Sequence, residues 1–312
     1  MQSLQLSFNA VAPIFILLAL GYIVKNLKMA DKKTFDSMNK LVFTIFLPVL
    51  LFYNIYKTEN LSVFDTKIIG FILIAVLCIY ALAYPVILLF SKDDRKRGVL
   101  LQAVFRSNYA ILGVPLVSYI CQGTETGLSS LMVAIVVPVF NVLAVITLEK
   151  FRGGRANIGK MLLGIIKNPL IIGCAFGMFF LLTGIKLPAV IEKSVKDISG
   201  VASPLSIFVL GASFTFSSMK GYVREIVFSV SLRLVIVPLL AVTAAIFLGF
   251  RGESLACLLI VFGTPVAISS FAMTQQMGGD DTLAGHLVVM TSALCLFTLF
   301  IWIFALSHLG FF

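Results

Sequence analysis

The chain has 312 residues, 60% of them hydrophobic and only 12% charged, with a formal net charge of +10. A soluble domain must present a polar exterior and cannot hide that much apolar surface, so the composition places the chain in a bilayer. The apolar runs are long and do not alternate, which excludes a membrane β-barrel, and the basic residues lie in short loops between them, with no nucleic-acid motif alongside.

A transmembrane helix needs about 20 apolar residues. The first such run is 5–27; no basic stretch precedes it, and Asn9 and Pro13 interrupt it, so it reads as a retained helix rather than a cleaved leader. The second, 34–56, opens on Asp36 and Lys40 and carries Asn54. The third is 66–90. The fourth, 98–120, contains Arg106-Ser-Asn108-Tyr-Ala-Ile-Leu-Gly113-Val-Pro115. The fifth, 126–149, carries Asn141, and the sixth is 158–183. The seventh, 188–216, has a charged first third with Glu192 and Lys196, then Ser206. The eighth, 221–249, holds Arg233 well inside. The ninth, 253–277, contains Gly263-Thr264-Pro265-Val-Ala-Ile-Ser269-Ser270. The tenth is 282–307, and His286 near its start reads as an interfacial residue.

The loops orient these helices. Lys25, Lys28, Lys32 and Lys33 fall in the first loop, Lys92, Arg95, Lys96 and Arg97 in the third, and Lys150, Arg152, Arg155 and Lys160 in the fifth. Loop 121–125 has no basic residue. The positive-inside rule then puts the central loop in the cytoplasm and both termini outside the cell (inner) membrane.

The two halves resemble each other at a gapless offset of 156. Pro13 falls on Pro169, Gly21 on Gly177, Pro48 on Pro204 and Phe52 on Phe208. Asp36 and Lys40 fall on Glu192 and Lys196, and Gly123, Glu125 and Thr126 on Gly279, Asp281 and Thr282. The chain therefore divides into repeats 1–156 and 157–312 of five helices each. An odd number flips the second copy, the layout of many secondary transporters, whose repeats intermix.

Proline removes an amide donor and clashes with the preceding turn, so helices four and nine are expected to break at Pro115 and Pro265, with Thr264 a candidate N-cap for the following half-helix. Broken backbone at that depth must line protein or a water-filled cavity. Half-helix N-termini carry free amides and partial positive charge, which suits an anion.

The segments Arg106-Ser-Asn-Tyr-Ala-Ile-Leu-Gly-Val-Pro115 and Thr264-Pro-Val-Ala-Ile-Ser-Ser-Phe-Ala-Met273, the latter continuing through Gly278-Gly-Asp-Asp-Thr-Leu-Ala284, resemble the auxin efflux carrier family, including its bacterial dicarboxylate-type members. The resemblance implies an all-α polytopic fold like that of sodium/proton antiporters and bile-acid carriers, with helices four and nine crossing mid-membrane. It also implies anionic substrates, such as auxin-like acids or mono- and dicarboxylates, and homodimers. It places Asn108 beside the crossover.

The expected substrate site is thus Asn108, Gly113, Pro115, Thr264, Pro265 and Ser269, with Asn9, Asn54, Asn141 and Ser206 as secondary polar groups. Arg106 and Arg233 either offset the substrate's charge or snorkel to the surface. Asp36/Lys40 and Glu192/Lys196 read either as local helix electrostatics or as gates or proton relays at the two faces. The five cysteines lack metal spacing, and no Ser/His/Asp set, P-loop or metal cluster is present, so no cofactor, metal or enzymatic activity is expected. Expected partners are a small organic anion and membrane lipid, not nucleic acid. Rival readings are a sodium-coupled symporter using the amides of Gln275 and Gln276, a sensor without flux, and an ion channel.

Overall fold

The computed structural model describes residues 2–58, 66–121, 127–152, 163–215 and 217–311, and among these it contains helices and turns but no strand. Gly123, Glu125 and Thr126 of the repeat signal, and Arg155 and Lys160 of the fifth loop, lie outside the described residues, as do the side chains of Asn9 and Pro115.

Each apolar segment read from the sequence contains helix. In chain order these are α1 (Gln2–Asn26), α2 (Lys32–Leu41), α3 (Leu47–Tyr56), α4 (Thr66–Phe90), α5 (Asp94–Phe105), α6 (Tyr109–Ile120) and α7 (Gly127–Phe151). There follow α8 (Pro169–Thr183), α9 (Ala189–Ser213), α10 (Val223–Ser231), α11 (Val237–Phe247), α12 (Gly252–Gly263), α13 (Ser269–Gln276) and α14 (Asp281–His308). Among the described residues, six continuous helical stretches are long and apolar enough to cross a membrane, including Thr66–Phe90 and Asp281–His308. Two shorter apolar helices, α6 and α12, are halves of interrupted segments.

Two of the long stretches contain a π turn. Val42–Phe46 joins α2 to α3 just before Pro48, and Leu232–Ile236 joins α10 to α11 just before Pro238. A proline inside a helix leaves one carbonyl without its usual amide. Widening the preceding turn lets both helices pass a proline without ending.

Helices α1, α3, α8 and α9 form a panel: α1 packs along α9, α3 along α8, and α9 against α3. Glycines allow that closeness, because lipid supplies no hydrophobic drive and helices must instead bring backbones together. Gly21 of α1 lies against the Phe208 carbonyl of α9, and Gly211 of α9 against the Leu18 carbonyl of α1. In the other pair, Gly177 of α8 lies against the Phe52 carbonyl of α3 and Gly173 against Pro48. The remaining helices form a bundle beside the panel, with α5 on α7, α6 on α12, and α10 and α13 on α14.

Large apolar side chains face outward along these helices, such as Leu89, Phe176, Phe247 and Phe297. That exterior suits hydrocarbon and not water. His286 departs from its reading as an interfacial residue: it is 1% exposed, between the Thr282 and Thr215 carbonyls and the rings of Phe214 and Tyr222. Phe214, Thr215 and Tyr222 cover it.

A branched side chain at the α1–α9 contact would force the backbones apart. Gly211→Val should therefore destabilise the protein by about 1–3 kcal/mol. Gly200→Ala, on an open face of the same helix, should be neutral or stabilising. Apparent melting temperatures of the two purified variants decide this.

Candidate functional site

Both interrupted segments break where they meet. Helix α5 ends at Phe105, with Arg106 extended (φ −92°, ψ 112°), and α6 restarts at Tyr109. Helix α12 ends at Gly263, with Thr264 extended (φ −74°, ψ 156°), and α13 restarts at Ser269. Between the breaks, Ser107 and Val266 form an antiparallel bridge, and the Asn108 amide donates to the Pro265 carbonyl at 2.8 Å. Each extended strip thus bonds to the other, and the Val266 amide takes the Thr291 hydroxyl oxygen at 3.1 Å.

This geometry corrects two expectations. The fourth segment does not break at Pro115: α6 is helical through that residue, and the interruption lies at Arg106–Asn108, where the second strip supplies hydrogen bonds. Thr264 is not the N-cap of the following half-helix. It caps the C-terminus of α12, its hydroxyl donating to the Ile260 carbonyl at 2.8 Å, and Ile268 precedes α13. A residue before proline is pushed out of the helical region, so the helix stops at Thr264, and Pro265 holds the extended path onward.

Two arginines sit at this crossing with different surroundings. Arg233, in the second π turn, is fully buried. Its Nε donates to the Thr264 carbonyl (2.9 Å), Nη2 to Val261 (3.1 Å), and Nη1 to Val104 (3.0 Å) and Phe105 (3.5 Å). All four acceptors are backbone carbonyls at the C-terminal ends of α5 and α12. Such ends carry roughly half a negative charge each, so together they offset one guanidinium without a carboxylate.

Arg106 faces the other way, into a cavity of about 30 Å³ whose described lining also includes Ser107, Asn108, Asn141, Ser206 and Ser269. It donates to Gln102 Oε1 (3.1 Å), Asn141 Oδ1 (2.6 Å) and Ser269 Oγ (2.9 Å). Every one of these acceptors is neutral. The N-terminal ends of α6 and α13 open on the same space through Asn108 and Ser269, adding positive potential. The described lining holds no Asp or Glu. Asn108 Nδ2 is buried with no hydrogen-bond partner, and so is Ser107 Oγ. An uncompensated cation, two helix N-termini and an unused amide donor together favour an anion. The volume is that of one or two waters, so any organic anion must widen it.

The structure brings Arg106, Asn108, Asn141, Ser206 and Ser269 to one cavity. Asn54 sits at its edge, donating to the Ala110 carbonyl at 3.4 Å. Thr264 and Pro265 supply the crossing backbone, and Gly113 packs under the Tyr109 ring, outside the described lining. Arg233 does not reach the cavity. Sequence reading passed over Gln102, which orients Arg106, and Ser107. Gln102 lies one turn before the motif and Ser107 within it, both polar in an apolar run, which is the signal that pointed to Asn141.

A wider cavity of about 590 Å³ opens at one end of the molecule, between the panel and α13–α14. Lys25, Lys28, Asp36, Phe271, Gln275 and His286 are among its walls. Asp31 also faces it, its carboxyl held below the usual carboxylate range by the Thr34 hydroxyl and amide. Asp36 accepts from Gln275 Nε2 at 3.3 Å and Glu192 from the Tyr56 phenol at 3.1 Å. Neither carboxylate forms an ion pair with Lys40 or Lys196, both of which are exposed.

A family model described as membrane transport protein matches residues 6–160 and 155–303. The chain is similar to an uncharacterized transporter of Methanothermobacter thermautotrophicus, 24% identical over 303 residues, 95% of this chain and 97% of the relative. It is 22% identical to the uncharacterized transporter MJ1031 of Methanocaldococcus jannaschii, over 96% and 98% of the two chains. It is 20% identical to the uncharacterized transporter YfdV of Escherichia coli, over 85% and 86%.

The two arginines should respond oppositely to removal. Arg233→Met strands four buried carbonyls and should cost on the order of 3 kcal/mol. Arg106→Met removes a buried charge that has only neutral partners and should change stability by less than about 1 kcal/mol. Thermal unfolding of both purified variants checks the difference.

Proposed function

Because the chain belongs to the membrane transport protein family, the auxin efflux carriers, we propose that it is a secondary carrier of small organic anions such as mono- or dicarboxylates. The single observation that carries this reading is the crossover cavity, where Arg106, an unpartnered Asn108 side-chain amide and two helix N-termini converge with no carboxylate among the described lining residues. In this reading the substrate's carboxylate takes the place of the neutral acceptors on Arg106 and bonds Asn108 Nδ2, while Ser269 and Asn141 orient it. Arg233 holds the crossing in shape.

The carrier has ten spans in two inverted repeats that intermix into panel and bundle. Two contacts support the inversion. Gly21 meets the Phe208 carbonyl, and Gly177 meets the Phe52 carbonyl. Adding 156 to 21 and to 52 gives 177 and 208, so each half offers its first helix to the other half's second, as a two-fold axis in the membrane plane requires. Lys25, Lys28 and Lys32 border the wide cavity. By the positive-inside rule that cavity faces the cytoplasm, with both termini outside the cell membrane. The substrate enters there, the crossing widens to receive it, and access then passes to the opposite face.

Purified protein should be melted against a panel of mono- and dicarboxylates, because a ligand that binds only the folded state raises its apparent stability. At least one carboxylate should raise the melting temperature of the wild type and of Gln276→Ala, and none should do so for Asn108→Ala or Arg106→Met. Counterflow of that carboxylate in proteoliposomes then separates carriage from binding alone. A panel with no stabilising anion would sink the anion reading.

A further inference from the structure

His286 is a buried titratable side chain that the crossing does not use. It lies in the second turn of α14, 1% exposed, in the wall of the wide cavity. Both ring nitrogens face backbone carbonyls. Nδ1 is 2.6 Å from the Thr282 oxygen of its own helix, and Nε2 is 3.2 Å from the Thr215 oxygen. The Phe214 and Tyr222 rings close over it, with centroids at 5.0 and 5.6 Å. Thr215 and Tyr222 belong to the connection between α9 and α10, so the imidazole ties that connection to α14.

A carbonyl only accepts, and a neutral imidazole has one N–H. Both bonds therefore form together only when the ring carries two protons. In a neutral ring that keeps Nδ1–H on Thr282, Nε2 turns its lone pair toward the Thr215 oxygen, and a buried acceptor without a donor is costly. Among the described residues one side-chain donor reaches it: Ser218 Oγ, 3.4 Å from Nε2. That hydroxyl is already engaged, donating to the Thr215 carbonyl at 2.9 Å and lying 2.6 Å from Thr215 Oγ1. Ser218 has a single proton, so it serves either Thr215 or the imidazole.

Two complete hydrogen-bond arrangements follow. With the ring protonated, Nε2–H takes the Thr215 carbonyl and Ser218 keeps its bond to Thr215, so connection and helix are joined. With the ring neutral, Ser218 turns its proton to Nε2 and Thr215 Oγ1 donates to Ser218 Oγ. The Thr215 carbonyl then loses both donors.

The charged groups nearby are of both signs. Lys25, Lys28 and Lys32 share the cavity with the ring, and so do Asp31, Asp36 and Asp281. Behind Tyr222 stand Asp280, which accepts from its phenol, and Lys96, paired with Glu225. Arg95 is bonded to the Gly279 carbonyl, and Arg233, on the π turn, to the Thr264 carbonyl. Among the described residues none of these forms an ion pair with His286. The partners of its second proton are therefore the carbonyls.

We propose that His286 is a proton-binding switch. Protonation fastens the Phe214–Tyr222 connection to α14 through the Thr215 carbonyl, and proton loss hands the ring to Ser218 and loosens the connection. Acidification thereby tightens one wall of the wide cavity. The switch stands whatever the carrier moves.

The chain has two histidines. His308→Gln leaves His286 alone, so protein grown on carbon-13 histidine and held in detergent gives one ring Cε1 resonance, whose position reads the protonation state. That resonance should titrate between about pH 5 and about pH 8. Adding Ser218→Ala leaves the neutral ring's Nε2 buried and unbonded, whereas the protonated ring keeps both carbonyls. The proton should then be held about fivefold more tightly, the worth of one net hydrogen bond. A nitroxide on Lys220→Cys, an exposed position in the connection, follows the second half of the proposal, with Cys78 and Cys121 replaced by alanine. Its electron paramagnetic resonance spectrum should become less mobile as pH falls, with the midpoint of the ring, and should ignore pH in His286→Gln. A ring that does not titrate overturns the switch, as does a midpoint that Ser218→Ala leaves in place or lowers. So does a nitroxide whose mobility is indifferent to the ring's protonation. Ser218→Ala is a mild change in the connection, so the ring measurements hold even where His286→Gln fails to fold.

Discussion

Arg233 sets the geometry on which the crossing depends. A guanidinium buried without a carboxylate would ordinarily be too costly to keep. Here its fork spans two helices that stop at the same depth, and it takes the carbonyls each leaves unbonded. The arginine needs the two helix ends for their partial negative charge, and the helix ends need the arginine for hydrogen bonds they cannot make to themselves. The π turn at Leu232–Ile236 is what the eighth segment contributes to this arrangement, placing the side chain on the crossing while Pro238 follows.

Once the C-terminal ends are satisfied in this way, the N-terminal ends determine the chemistry of the cavity. Helices α6 and α13 start facing each other, and Arg106 stands between them with only neutral acceptors. Negative potential has been collected on one side of the crossing and positive potential on the other. The fold separates the two from the same four half-helix termini, so the anion preference is a property of the backbone as much as of any side chain.

The panel works on a different principle. Its helices meet through glycine, with backbone against backbone, and few polar groups are involved. That makes a stiff, close-packed wall in a solvent that gives no hydrophobic drive for association. The bundle carries the buried polar network instead, from Gln102 and Thr274 through Arg106 to Asn141. Wall and bundle are joined by polar contacts at both ends: Asn54 and Thr58 reach carbonyls at the Tyr56 end, and Asn39 and Asp36, earlier in the Lys32–Tyr56 stretch, bond Gln275 beside the wide cavity.

Much of this was legible in the sequence. Hydropathy fixes the apolar segments because a bilayer leaves no other solution for a chain so poor in charge. The breaker at Pro265 and the small cluster of polar residues around Asn108 mark the crossing, since polar groups in an apolar run are costly unless used. What sequence alone could not decide was which break a proline makes. Pro115 lies within an intact α6, because the hydrogen bonds offered by the Pro265 strip are available only at Asn108, from residues more than 150 positions away. Nor could it divide the labour of the two arginines, for each reads as a buried cation until the carbonyls of Val104, Val261 and Thr264 are seen around one and the side chains of Asn141 and Ser269 around the other. The sequence by itself determined a membrane chain with two polar interruptions. The tertiary structure decided which charges those interruptions cancel and which they leave for a ligand, because charge compensation depends on distances between segments that only folding brings together.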